Sequence, residues 1–96
     1  MTIKQLLHER RMDIQKIAVK HGAFNLRVFG SVVRGEETED SDIDFLVNTG
    51  QKTSPWFPGG LILELEEMLG RPIEIVTEKG LNPLIRSQVI TEAISL

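Results

Sequence analysis

Two short apolar runs, Leu26–Phe29 and Ile43–Val47, are joined by Gly30-Ser31 and a polar stretch, and this arrangement narrows the possible folds more than any other part of the chain. Both runs are rich in residues that suit a pleated, half-buried surface, so each reads as a strand. Gly30-Ser31-Val32-Val33 reads as a turn feeding a short helix, and residues 35–41 as a polar loop. The chain re-enters the second run through Asp42-Ile43-Asp44. Strand side chains alternate in direction, so the two aspartates would project from one face. The remaining sequence reads as support for this stretch.

Residues 2–21 predict an amphipathic helix, with Ile3, Leu6, Leu7, Ile14, Ile17 and Ala18 at helical spacing. Thr2 and Gln5 form a capping box, and Gly22 is a stop. The apolar face predicts packing on a sheet; Arg10-Arg11, in the middle turn, offer a second use, against acidic groups of a partner. His8 and His21 lack ligand spacing and read as surface or helix-end residues. Residues 48–55 read as a loop from their Asn, Gly, Ser and Pro content. Trp56 and Phe57, between Pro55 and Pro58, would stack on a base or pack in the core or loop, and packing is the expectation. Residues 59–69 predict a second helix, Leu61, Ile62, Leu65, Met68 and Leu69 on one face, ended by Gly70 and Arg71-Pro72. Ile73–Thr77 is a third strand, with Glu74 facing away from Ile73 and Ile75. Asn82 caps a last helix opened by Pro83, with Leu84, Ile85, Val89, Ile90 and Ala93 facing inward. The order helix, strand, strand, helix, strand, helix predicts an α/β (α+β) layered fold with three strands in a single domain, residues 1–96.

Composition bounds the function. Of 96 residues, 41% are apolar and 26% charged, as in an ordinary folded domain. A net charge of −3 argues against direct nucleic-acid binding through a basic surface. No apolar run approaches the roughly 20 residues of a membrane span, and the start, Met1-Thr2-Ile3-Lys4-Gln5, does not resemble a secretory signal. The absence of cysteine excludes disulfides and cysteine-based zinc sites and fits a cytoplasmic location. Charge is uneven: Glu36, Glu37, Glu39, Asp40, Asp42 and Asp44 crowd residues 36–44 with no base among them. Such a cluster requires solvent, a cation or a basic partner.

Two readings of the Asp42/Asp44 pair stand side by side: solvated carboxylates on an exposed strand, or ligands for a divalent cation such as Mg2+, which prefers oxygen donors and keeps positions for phosphate. Gly30 permits close approach of a ligand to the backbone, and free N–H groups in the turn suit phosphate. Ser31 adds a hydroxyl. Arg34 either holds a phosphate or pairs with Glu36 or Glu37. Glu74 is a candidate third carboxylate if its strand lies beside the aspartate strand, and would then help deprotonate or orient an attacking hydroxyl. There is no Gly-x4-Gly-Lys-Ser/Thr phosphate loop and no Ser-His-Asp or Cys-His set.

Gly30-Ser31, ten intervening residues, then Asp42-x-Asp44 resembles the signature of polymerase-beta-like nucleotidyltransferases. Phe29–Gly35, Ser41–Val47, Leu69–Thr77 and Ile85–Ala93 are similar to the minimal nucleotidyltransferases of bacteria and archaea, including MntA-type antitoxins, so the likeness spans nearly the whole chain. The resemblance implies a small three-stranded mixed sheet packed against helices. It also implies transfer of AMP from ATP, with Mg2+, onto a tyrosine of a HEPN-type ribonuclease toxin, which silences the toxin. Carried over by position, Gly30 and Ser31 would hold the triphosphate, and Asp42 and Asp44 the metal. Glu74 would take the third carboxylate place, where the family usually has Asp. Two alternatives accompany this reading: an antitoxin that acts by occlusion without catalysis, and nucleotidyl transfer to a small-molecule hydroxyl.

Overall fold

Capping and periodicity set the first helix. In the computed structural model, which describes residues 2–38 and 40–96, helix α1 runs Ile3–Lys20 and opens with the full Thr2/Gln5 capping box. It ends at His21, and Gly22 turns the chain into strand β1, Ala23–Phe29. A one-turn helix α2, Ser31–Arg34, follows. Then come β2 (Ile43–Thr49), α3 (Gly59–Leu69), β3 (Ile73–Thr77), α4 (Pro83–Glu92) and β4 (Ile94–Ser95).

The sheet order is β3-β2-β1-β4. Strand β2 is antiparallel to β1 and parallel to β3, and β4 is antiparallel to β1. The sheet is mixed, as expected, but has four strands rather than three. The extra strand is two residues long at the chain's end, too short to carry an alternation signal. A parallel pair needs a crossover, and α3 supplies it between β2 and β3.

One face of the sheet carries the main core. Ile43, Phe45 and Val47 of β2 pack with Leu7, Ile14 and Ala18 of α1 and with Leu61, Leu65 and Leu69 of α3, all buried. The opposite face is only partly covered: Leu46 packs there with Leu81 and Val89, and Phe29, Val76 and Ala93 border them. This second cluster seats α4 over part of that face and leaves the Asp44 end of β2 uncovered by it. Strand β1 keeps its core face despite a register shift between Phe24 and Arg27. Asn25 takes the left-handed conformation (φ 54°) within this irregularity, and both Ala23 and Leu26 end up buried.

Three expectations need correction. Leu84, Ile85 and Ile90 do not face inward: they are 91%, 47% and 37% exposed, and Val89 is the buried residue of α4. The helix rests on the sheet through one narrow edge, so most of its apolar residues lie outside the contact. His21 is the helix-end residue expected, the C-cap of α1, but it is buried rather than on the surface: its Nδ1 lies 2.6 Å from Ser54 Oγ, and Glu64 stands 3.5 Å from Nε2. Of the Trp56–Phe57 pair, Phe57 packs against the core while Trp56 is 90% exposed. Among the described residues no helix is long and apolar enough to cross a membrane.

Candidate active site

The site begins with a glycine that nothing else can replace. Gly30 has φ 78° and ψ −150°, a region open almost solely to glycine. A Cβ at this position would also collide with the Asp44 carboxylate. The turn therefore lets the backbone touch the carboxylate that the next strand presents. This follows from the pairing of Phe29 opposite Asp44 in the β1–β2 ladder.

On its other side Asp44 is registered with Glu74 across the parallel β2–β3 ladder. Both side chains leave the sheet on the face opposite Ile43, Phe45, Ile73 and Ile75, which are buried in the main core. The pairing that the sequence left conditional is thus realised. Partial burial pushes the Asp44 carboxyl up to about 7, helped by a hydrogen bond to Glu74 and by the charges of Glu74 and Asp42; Arg34 opposes the shift. Two carboxylates this close hold a proton between them unless a cation takes its place.

Asp42 differs from expectation in detail. It precedes β2 by one residue and is exposed. Its position is set by Arg71, whose guanidinium donates to the carbonyls of Thr38 (2.8 Å) and Ser41 (2.7 Å). Ser41 Oγ accepts from Thr38 N at 2.8 Å, and Ile43 N donates to Pro72 O at 2.9 Å, closing the polar loop. Among the described residues no three His, Cys, Asp or Glu side chains gather closely enough to form a metal-holding group. What the structure brings together is the Asp44–Glu74 pair, with Asp42 beside it at the strand entry. The donors are all carboxylate oxygens, the set that Mg2+ prefers, and the raised Asp44 pKa marks a place where positive charge would relieve repulsion. Glu39, one of the six clustered carboxylates, lies outside the described residues.

Arg34 is paired, and its main partner was not anticipated. Arg34 Nη1 lies 2.7 Å from Glu92 Oε1, and Nε lies 3.3 Å from Glu36 Oε1. The second Glu92 oxygen accepts from Gly30 N at 2.9 Å. Those two bonds, the Gly30 amide first, hold the Glu92 carboxyl below its usual pKa, and the same ion pair raises that of Arg34. Glu92 is the last residue of α4, 62 positions from Gly30, so no local pattern announces it. Arg71 was missed for the same reason: its targets are backbone carbonyls 30 and 33 positions away. Behind the site, Arg27 bonds both Asn48 and Glu78 at 2.9 Å, and Arg86 of α4 joins Glu78 at 3.1 Å, fixing the helix to the sheet.

A glycine turn thus abuts Asp44, which is ladder-paired with Glu74, on a small mixed sheet. Residues 11–96 match the family model described as a nucleotidyltransferase domain, and the chain belongs to that family. A Methanocaldococcus jannaschii chain assigned as a protein adenylyltransferase is 36% identical over 94% of this chain and 97% of its own length. The protein adenylyltransferase MntA of Thermococcus cleftensis is 32% identical over 96% of this chain and 90% of its own. A solved structure assigned as a minimal nucleotidyltransferase superposes with TM-score 0.85 at 44% identity, covering 100% and 97% of the two chains. The fold alone is shared with a structure of a tri-AMPylated Shewanella oneidensis HEPN toxin in complex with MNT antitoxin (TM-score 0.66, 18% identity, 97% and 71% covered).

Proposed function

We propose that this nucleotidyltransferase is an antitoxin that transfers AMP from ATP to a tyrosine hydroxyl of a HEPN-type toxin and thereby neutralises it in the cytoplasm. The observation that carries the reading is the ladder pairing of Asp44 with Glu74 against the Gly30 turn. The 32% identity to the protein adenylyltransferase MntA supports AMP transfer to a protein, and the fold shared with an antitoxin complexed to an AMPylated HEPN toxin is in keeping with a toxin partner.

Gly30, Ser31 and Arg34 bind the triphosphate. Asp44 and Glu74, with Asp42 beside them, are the residues that would hold Mg2+, which would supply neutralisation of phosphate charge there. The tyrosine oxygen forms a bond to the α-phosphorus, the bond from that phosphorus to the β-bridging oxygen breaks, and pyrophosphate leaves with the electron pair. The hydroxyl proton passes to the Glu74 carboxylate, the candidate base among the three. Placement and charge compensation carry most of such a reaction. Glu36, Asp40 and Asp42 are exposed beside the site and suit a basic, RNA-cleaving partner surface.

The test is the intact mass of the partner after incubation with this protein, ATP and Mg2+. The expected result is a gain of one or more AMP groups, lost with Asp42→Asn plus Asp44→Asn. A gain that survives the double substitution overturns the assignment to this site. Full toxin inhibition with no mass gain favours occlusion.

A further inference from the structure

Glu92 stands where the proposed nucleotide would. Its two oxygens take the Gly30 amide (2.9 Å) and the Arg34 guanidinium (2.7 Å), two of the three groups assigned above to the triphosphate. One carboxylate bridging a backbone N–H and an arginine fork makes the same kind of charge-assisted contacts that a phosphate would make. The glutamate side chain is only 18% exposed, whereas Glu36, the other acid on Arg34, is 63% exposed and leaves the Gly30 amide alone. Glu92 is also tethered. It closes α4, which Leu81 and Val89 seat against Leu46 and which Arg86 ties to Glu78. A tethered anion meets its donors at an effective concentration far above that of a free one.

We propose that Glu92 is an internal competitor for nucleotide: it occupies the Gly30–Arg34 donors in the free protein and must leave them when the triphosphate binds. The inference rests on the nucleotide reading above. The Gly30 amide has a single hydrogen, so Glu92 cannot keep it while a phosphate oxygen uses it, and a phosphate drawn to Arg34 brings a second anion against the Glu92 carboxylate. The side chain then has to turn away at the end of α4, next to Ala93 and the β4 strand that pairs with Arg27 and Val28. Nucleotide binding is thereby linked to the sheet edge formed by the last residues of the chain. A cradle already filled by its own anion also keeps two cationic or donor groups satisfied when nucleotide is absent, so the turn holds its shape while it waits.

Occupancy of the cradle lowers apparent affinity in proportion to the fraction of molecules left open. The experiment is calorimetric binding of ATP, and separately of pyrophosphate, each with Mg2+, to the full chain, to Glu92→Gln and to Glu36→Gln. Gln keeps a carbonyl oxygen for the Gly30 amide, so the turn is retained, and far-UV circular dichroism verifies the fold of each variant. Glu92→Gln is expected to bind both ligands roughly tenfold more tightly. Glu36→Gln is expected to change binding less than about twofold, as for an exposed ion pair. The amide resonance of Gly30 is a second readout: pyrophosphate should shift it in both proteins, at lower concentration in Glu92→Gln. A merely structural Glu92 would weaken binding when replaced. Equal or weaker binding by Glu92→Gln, with the unaltered chain binding ATP, overturns the inference and leaves the nucleotide reading in place. An equal gain from Glu36→Gln also overturns it, since the effect would then be general charge near Arg34. No ATP binding by any of the three overturns the nucleotide reading, and the inference with it.

Discussion

Asp44 and Glu74 are direct neighbours across the parallel β2–β3 ladder, and burial together with the adjacent Glu74 carboxyl lifts Asp44 to about 7. The sign of its effect on stability follows. A carboxyl whose folded pKa lies above its unfolded value of 3.8 favours folding while protonated, and that contribution is lost as pH rises through the folded pKa of about 7. Glu64, Glu78 and Glu92, all lowered, work in the opposite sense at acid pH, where their contribution disappears as they protonate. The difference between the unaltered chain and Asp44→Asn isolates the Asp44 part. In the absence of divalent cation, thermal unfolding should show the unaltered chain losing stability relative to Asp44→Asn between about pH 4 and 7. Saturating Mg2+ should reverse that difference at pH 8.

Glu74→Gln removes the neighbouring charge and the candidate proton acceptor together. Adenylyl transfer should fall by about 10²-fold or more in kcat, with a smaller change in the KM for ATP. Without divalent cation at pH 8 the variant should melt higher than the unaltered chain, because Asp44 no longer ionises beside a like charge. Steady-state kinetics and melting curves check the two halves independently.

Gly30→Ala places a Cβ against the Asp44 carboxylate at a φ of 78°. The strain alone costs about 1–3 kcal/mol, and the collision adds to it. Urea unfolding should show a lower midpoint at an unchanged slope. Nucleotide binding should be lost even where the variant remains folded.

How much of this was open to reading from the chain depends on sequence distance. The helix from Ile3, the helix from Gly59 and the β2 and β3 strands obey their apolar periods, and the Gly30 turn is marked by its residue type. The register of Asp44 on Glu74 was visible only as a condition, because strand direction depends on how α3 crosses over. The α4 face was misread: Leu84, Ile85 and Ile90 have helical spacing, yet the sheet offers the small surface of Phe29, Leu46 and Val76 for α4 to cover. Glu92 was passed over, and the burial of the helix-end residue His21 was missed, because their partners, Gly30, Arg34 and Ser54, lie 33 to 62 positions away.

Arg71→Ala leaves the carbonyls of Thr38 and Ser41 without their shared donor. The loss should cost about 1.5–3 kcal/mol, in line with hydrogen bonds from a charged group. Hydrogen exchange should rise in the loop that leads into Asp42 while β1 and β2 stay protected. With Asp42 less well placed, the Mg2+ concentration needed for half-maximal transfer should increase.

The most direct test follows the phosphorus. The toxin partner is incubated with this protein, Mg2+ and ATP labelled at either the α- or the γ-phosphate, and label on toxin tyrosine is measured. Adenylyl transfer at the Asp44–Glu74 site predicts label from the α position only, abolished by Asp44→Asn. Label from the γ position, or α-label undiminished in Asp44→Asn, would contradict the account.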